Sequence, residues 1–94
     1  MNFTAMGLSP TRIRLQWDPP EKRHRHGDIV LYEIWYSQRS NSLDEFATNS
    51  TNTHTVLDDL VPNEDYTFRI RAYTSKGSGP WSTRLPFRTF GLRM

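Results

Sequence analysis

From Tyr66 to Tyr73 the chain alternates. Tyr66, Phe68 and Ile70, with the small Ala72, occupy one set of positions, and Thr67, Arg69 and Arg71 occupy the other. A period of two sends successive side chains to opposite faces of an extended backbone, so this segment predicts a strand with one face in a core and one in water. Ile13, Leu15 and Trp17 alternate with Arg12, Arg14 and Gln16 in the same way, predicting a strand over Thr11–Trp17. A third strand is predicted from Ile29 to Ser37, with Ile29, Tyr32, Ile34 and Tyr36 inward and a shift of phase near Val30-Leu31. Shorter strands are expected at Phe3–Met6, Thr53–Leu57 and Trp81–Thr89. Pro86 cannot donate to a ladder and places the last of these at an edge. Gln38–Asn52 is rich in Ser, Asn and Thr, and Phe46 predicts a short edge strand within it.

The segments between the strands carry turn chemistry: Gly7-Leu8-Ser9-Pro10, Asp18-Pro19-Pro20, Val61-Pro62-Asn63-Glu64-Asp65 and a Thr74–Gly79 hairpin loop. Short strands at regular spacing, with no helical periodicity, predict an all-β, seven-stranded antiparallel sandwich. Ninety-four residues suit one domain, 1–94. Its expected core is Trp17, Tyr32, Ile34, Tyr36, Leu60, Tyr66, Phe68 and Ile70.

Composition narrows the function. With 13% aromatic residues the chain can build a core without staples. The absence of cysteine excludes disulfides, thiol nucleophiles and Cys-based zinc sites, and leaves the compartment open. No apolar run approaches the roughly 20 residues of a bilayer span, so no direct membrane contact is expected. A net charge of +2 does not mark a nucleic-acid binder.

Catalytic patterns are missing. No G-x-S-x-G, phosphate-cradling glycine loop or H-E-x-x-H occurs, and Gly77-x-Gly79 opens no helix that could hold a pyrophosphate. No enzyme activity and no cofactor is expected. His24, His26 and Asp28 bring metal-type donors together, but Arg23 and Arg25 between and beside them repel a cation, and no metal site is predicted. The densest positive charge is Lys22-Arg23-His24-Arg25-His26, in the loop before the third strand. It reads either as an anion or partner contact, for example to a sulfated glycosaminoglycan or an acidic protein, or as a solvated connection. Asn2-Phe3-Thr4 and Asn49-Ser50-Thr51 match the N-glycosylation acceptor pattern, with Asn49 expected in a polar loop.

Leu60-x-Pro62-x-x-x-Tyr66-x-Phe68-x-Ile70-x-Ala72, Gly77-x-Gly79-Pro80-Trp81-Ser82 and Trp17-Asp18-Pro19-Pro20 together resemble a fibronectin type III domain over nearly the whole chain. The last of these motifs, with Tyr32-x-Ile34-x-Tyr36, is similar to repeats of receptor-type tyrosine phosphatases and neural cell-adhesion receptors. The resemblance implies an immunoglobulin-like sandwich of three strands on four, centred on Trp17. It also implies that the Tyr66 hydroxyl bonds backbone at the corner set by Leu60 and Pro62. Trp35, out of phase with the core, is expected on the outer face beside Arg69 and Arg71, with Trp81 extending a Trp/Arg ladder as in cytokine-receptor modules; an exposed partner-binding patch is the other reading. Trp81-Ser82-Thr83-Arg84-Leu85 holds only half of the Trp-Ser-x-Trp-Ser motif of those modules. The Thr74–Gly79 loop has no acid, so integrin recognition by an Arg-Gly-Asp loop is not expected. The implied role is a non-catalytic adhesion or spacer module in the extracellular part of a cell-surface membrane protein, touching other proteins or neighbouring domains. The alternatives are an intracellular structural repeat of the giant-muscle-protein type and a cytokine-receptor-like ligand-binding module.

Overall fold

Two antiparallel sheets close around Trp17. The computed structural model describes residues 2–19, 28–39 and 41–91, with Asn41 and Ser42 by backbone alone. The basic segment Lys22–His26 lies outside the described residues. Strands β1 (Thr4–Ser9), β2 (Arg12–Gln16) and β5 (His54–Leu57) form the smaller sheet in the order β1-β2-β5. The larger sheet has the order β4-β3-β6, built from β4 (Asn41–Ser50), β3 (Ile29–Gln38) and β6 (Asp65–Thr74). Along the free side of β6 run β7 (Gly77–Ser78) and β8 (Leu85–Arg88).

The all-β sandwich is the predicted class. The eighth strand arises because a two-residue strand, β7, forms within the expected Thr74–Gly79 loop, while the expected Trp81–Thr89 strand shrinks to β8, leaving two separate pieces along one edge. Pro80 has no amide hydrogen to give β6, and the chain leaves regular pairing over residues 79–84. It stays tethered there by Gly79 N–H to the Ala72 carbonyl and Ser82 N–H to the Ile70 carbonyl, both at 2.8 Å. Trp81 therefore sits between the pieces and not in a strand.

Other boundaries moved as well. β1 continues through the expected turn at Gly7 and Leu8, absorbing the irregularity between Gly7 and Ser9 in its pairing with β2. The region expected to hold one short strand around Phe46 is a ten-residue strand, β4, paired with β3 from Tyr32↔Ser50 to Ser37↔Glu45 and, past an irregularity, Gln38↔Asn41. Its polar composition suits an edge strand with one side in solvent, which hides the alternation that reveals a half-buried strand. The phase shift at Val30-Leu31 is a bulge: the register of β3 on β6 slips between Ile29 and Leu31.

The buried core is Ile13, Leu15, Trp17, Tyr32, Ile34, Leu57, Leu60, Tyr66, Phe68, Ile70 and Ala72. Phe3 and Tyr32 meet the Trp17 ring edge-on at centroid distances of 6.1 and 5.3 Å. Tyr36, expected in the core, is half-buried at its margin, where it stacks on Phe46 at 5.5 Å and tilts against Phe68 at 5.7 Å. Beyond β5 the chain turns through Asn63, whose φ of 53° lies in the left-handed region that Asn tolerates. The Tyr66 hydroxyl accepts the Val61 N–H at 2.8 Å, closing this corner.

Candidate functional site

The outer face of the larger sheet is organised in cross-strand rows. The register places Asn49, Glu33 and Arg71 in one row, Ala47, Trp35 and Arg69 in the next, and Glu45, Ser37, Thr67 and Pro86 in a third. All are odd-numbered except Pro86, whose strand has the opposite phase, and all point away from the core that Ile34, Tyr36, Phe68 and Ile70 face.

Trp81 falls onto the first two rows from the 79–84 segment. Ser82 holds that segment in place, since its hydroxyl accepts the Ile70 N–H at 3.1 Å while its own N–H bonds Ile70 in return. The Trp81 indole lies between two guanidinium groups, with the Arg69 Cζ 4.5 Å and the Arg71 Cζ 4.2 Å from its centroid. Arg69 also lies 5.7 Å from the Trp35 centroid, and the two indoles meet edge-on at 6.0 Å. The stack thus runs Trp35, Arg69, Trp81, Arg71. Each exposed cation–π contact contributes roughly 0.5–1 kcal/mol.

Glu33 anchors the end of the stack. Its Oε1 accepts hydrogen bonds from Trp35 Nε1 at 2.6 Å and from Arg71 Nε and Nη2 at 3.1 and 2.8 Å. Its Oε2 accepts the Tyr73 hydroxyl at 3.3 Å, and Tyr73 in turn accepts from Arg71 Nη2 at 2.9 Å. The Arg71 and Glu33 side chains are only 23% and 18% exposed, so this ion pair is shielded in a way surface pairs usually are not. Arg69 has a looser partner, Glu45 at 3.6 Å.

The structure therefore brings together Trp35, Arg69, Arg71 and Trp81 and adds Glu33 and Tyr73, which the sequence reading did not single out. The available signal was spacing. Glu33 and Trp35 are two apart on one strand, Arg71 and Tyr73 two apart on its neighbour, and antiparallel pairing sets Glu33 opposite Arg71. Asn49 belongs to the same face. It was expected in a loop but lies in β4, one residue from the strand's end, with its side chain exposed. β4 runs on to Ser50 because its pairing with Tyr32 continues that far. Asn2 is exposed before β1, on the far sheet, with a φ of 50°. Among the described residues no group of three or more His, Asp or Glu is placed to hold a metal ion.

A two-sheet β-sandwich with a buried central tryptophan and a tyrosine-closed corner is the architecture of a large class of extracellular and intracellular modules. The chain belongs to the fibronectin type III family, whose model matches residues 1–88. It is similar to human receptor-type tyrosine-protein phosphatase F, at 38% identity over 88 residues, covering 94% of this chain and 5% of that protein. It is also similar to the Drosophila melanogaster tyrosine-protein phosphatase Lar, at 34% identity, covering 94% of this chain and 4% of that protein. Among solved structures, the third fibronectin III domain of the human KIAA0343 protein superposes with a TM-score of 0.82 at 25% identity, covering 99% of this chain and 82% of that one. The chain thus spans about a twentieth of the length of the curated relatives it matches, and is homologous to a repeat within a multidomain receptor-type phosphatase.

Proposed function

We propose that this chain is a non-catalytic adhesion or spacer module in the extracellular part of a larger cell-surface receptor. The observation that carries the reading is the homology to receptor-type phosphatases over 94% of the chain but only 5% of the relative. A segment that small relative to the whole acts as one repeat among many. The outer face supports the spacer role. Its two tryptophans and two arginines are engaged with one another and with Glu33, so the aromatic surface is used to stiffen the sheet and is not left open for a partner. In this reading the basic segment Lys22–His26 draws acidic neighbours, proteins or sulfated glycosaminoglycan, by charge alone.

The test is topological. An antibody against this domain, applied to intact cells expressing the full-length parent protein, is expected to label the surface without permeabilisation. Labelling only after permeabilisation overturns the extracellular assignment and favours the intracellular repeat.

A further inference from the structure

The outer face of the smaller sheet is built unlike that of the larger one. Its strands contain two arginines and no carboxylate. The register sets Met6, Arg14 and Val56 side by side in one row. Arg12 stands two residues from Arg14 on the same face, about 6.7 Å along β2. Met6, Val56 and the nearby Leu8 are all exposed. The arginines of the larger sheet find partners there, whereas Arg12 and Arg14 have no hydrogen-bond or ionic partner among the described residues. Arg14 Nε is moreover buried without an acceptor. A buried donor left unpaired is uncommon, and it gains from an acceptor that arrives with a partner.

The complement to this face lies on the same chain. In β4 two apolar residues flank two acids, Leu43-Asp44-Glu45-Phe46, and the strand has no Lys or Arg. Its register on β3 jumps from Ser37↔Glu45 to Gln38↔Asn41, so residues 42–44 have no opposite residue and the strand bulges. The bulge leaves Leu43 94% exposed, more than any other large apolar side chain among the described residues. Asp44, Glu45 and Phe46 are exposed beside it. This corner belongs to the other sheet, and Met6, Arg14 and Val56 point away from the core between the two sheets. A copy therefore cannot lay its own corner on its own face.

We propose that the outer face of the smaller sheet binds the Leu43–Phe46 corner of a second copy of this chain. Leu43 seats against Met6 and Leu8, and the two carboxylates reach Arg14 and Arg12, where charge-assisted bonds form. A sulfated polyanion matches the arginines but leaves the apolar side chains in water. A neutral apolar surface leaves the arginines unpaired. The corner supplies both features together. The contact is heterologous, one copy giving its face and the other its corner. It is also small, with a Kd on the order of 0.1–1 mM, which suits copies already concentrated on one surface. It does not depend on the extracellular reading, since the isolated chain carries both halves.

The experiment is sedimentation equilibrium of the unglycosylated chain, up to about 1 mM. A face variant carries Arg12→Glu with Arg14→Glu, and a corner variant carries Leu43→Ser with Asp44→Lys. Two-dimensional amide spectra check that each keeps the fold. The average mass of the unchanged chain is expected to rise with concentration, and that of each variant alone to stay monomeric. Mixed in equal amounts, the two variants are expected to associate again, because one keeps an intact corner and the other an intact face. Met6→Ser truncates an exposed side chain, leaves both arginines in place, and is expected to weaken association several-fold. The proposal is overturned if the unchanged chain stays monomeric throughout, if the mixture associates no more than its components, or if Met6→Ser associates like its parent.

Discussion

Tyr66 and Thr89 hold the same residue from its two ends. The Val61 N–H donates to the Tyr66 hydroxyl at 2.8 Å, and the Thr89 hydroxyl donates to the Val61 carbonyl at 2.6 Å. Thr89 Oγ1 also accepts the Glu64 N–H at 3.0 Å, and its own N–H bonds the Glu64 carbonyl at 3.0 Å. A threonine only 3% exposed thus pins the residue after β8 to the turn between β5 and β6.

Removing either hydroxyl leaves a part-buried backbone group without a partner. Tyr66→Phe is expected to cost about 1–2 kcal/mol, since it orphans one backbone group, the Val61 N–H, and otherwise takes an acceptor only from the half-buried Gln38 Nε2, which donates to the hydroxyl at 3.2 Å. Thr89→Val orphans the Val61 carbonyl and the Glu64 N–H together and is expected to cost about 2–4 kcal/mol, with Thr89→Ser recovering most of it. Urea denaturation of the three variants checks the order; Thr89→Val no worse than Tyr66→Phe contradicts it.

At the centre of the sandwich the contribution is packing. Trp17 Nε1 has no hydrogen-bond acceptor among the described residues, so the indole acts through its area and its edge-on contacts with Phe3 and Tyr32. Trp17→Ala is expected to cost about 3–5 kcal/mol and Trp17→Phe clearly less, because Phe keeps much of the ring and gives up no hydrogen bond. Equal losses in the two variants, measured by thermal or chemical denaturation, run against this account.

The elements that the sequence made readable are those with one wet and one dry face. β2 and β6 alternate without interruption, and in β3 the bulge between Ile29 and Leu31 shows as a slip of phase. β4 was misjudged because an edge strand with exposed Leu43 and a half-exposed Phe46 lacks that contrast. The break at Pro80-Trp81 is a tertiary effect: Ser82 takes over bonds from β6, which no local pattern announces. The ladder was readable as far as phase carries, since Trp35, Arg69 and Arg71 are all out of step with the core. Glu33 and Tyr73 needed the register, because their part in the network comes from which residue stands across the strand. The corner was readable at Tyr66 and not at Thr89, whose partners lie 25 and 28 residues away.

The ladder predicts unequal effects in its middle and at its anchor. Trp81→Ala removes the ring shared by both guanidiniums and is expected to cost about 1–2 kcal/mol, the sum of two exposed cation–π contacts. Glu33→Gln keeps the shape but leaves Arg71 and the Trp35 N–H facing a neutral amide, one of whose donors points at other donors. It is expected to cost more, about 2–3 kcal/mol. A double-mutant cycle between Glu33→Gln and Arg71→Gln is expected to show coupling near 1 kcal/mol or above. Additive losses within about 0.3 kcal/mol mean that the network is only a set of independent neighbours.

Asn49 is the better placed of the two acceptor asparagines. It is exposed on the outer face at the end of an edge strand, and the following residues bend away through an exposed Thr51. The Asn2 motif runs directly into β1, with Phe3 packed on Trp17. Secretion of the chain from mammalian cells behind a signal peptide is expected to yield a mass increase that glycan-removing amidase reverses and Asn49→Gln abolishes. An increase that survives Asn49→Gln and disappears in Asn2→Gln assigns the glycan to the wrong end of the domain for this argument.

High pH is expected to weaken the fold through Tyr36. Burial at the margin of the core raises the pKa of its hydroxyl above the ordinary tyrosine value of 10.0, and the nearby Tyr66 and Asp58 add to the shift. The direction determines the pH window. Between the unfolded and folded values the native state holds a proton that the unfolded chain has released, so stability falls as pH rises. Below about pH 10 both states keep the proton and Tyr36 contributes no pH dependence. Stability is therefore expected to decline from about pH 10 upward, as the unfolded chain ionises first. Tyr36→Phe keeps the stack on Phe46 and has no proton to lose, so its stability is expected to decline less over the same interval. Parallel urea titrations from pH 8 to 11 decide the point. Superimposable declines for the two proteins assign the alkaline loss to other groups and remove Tyr36 from the account.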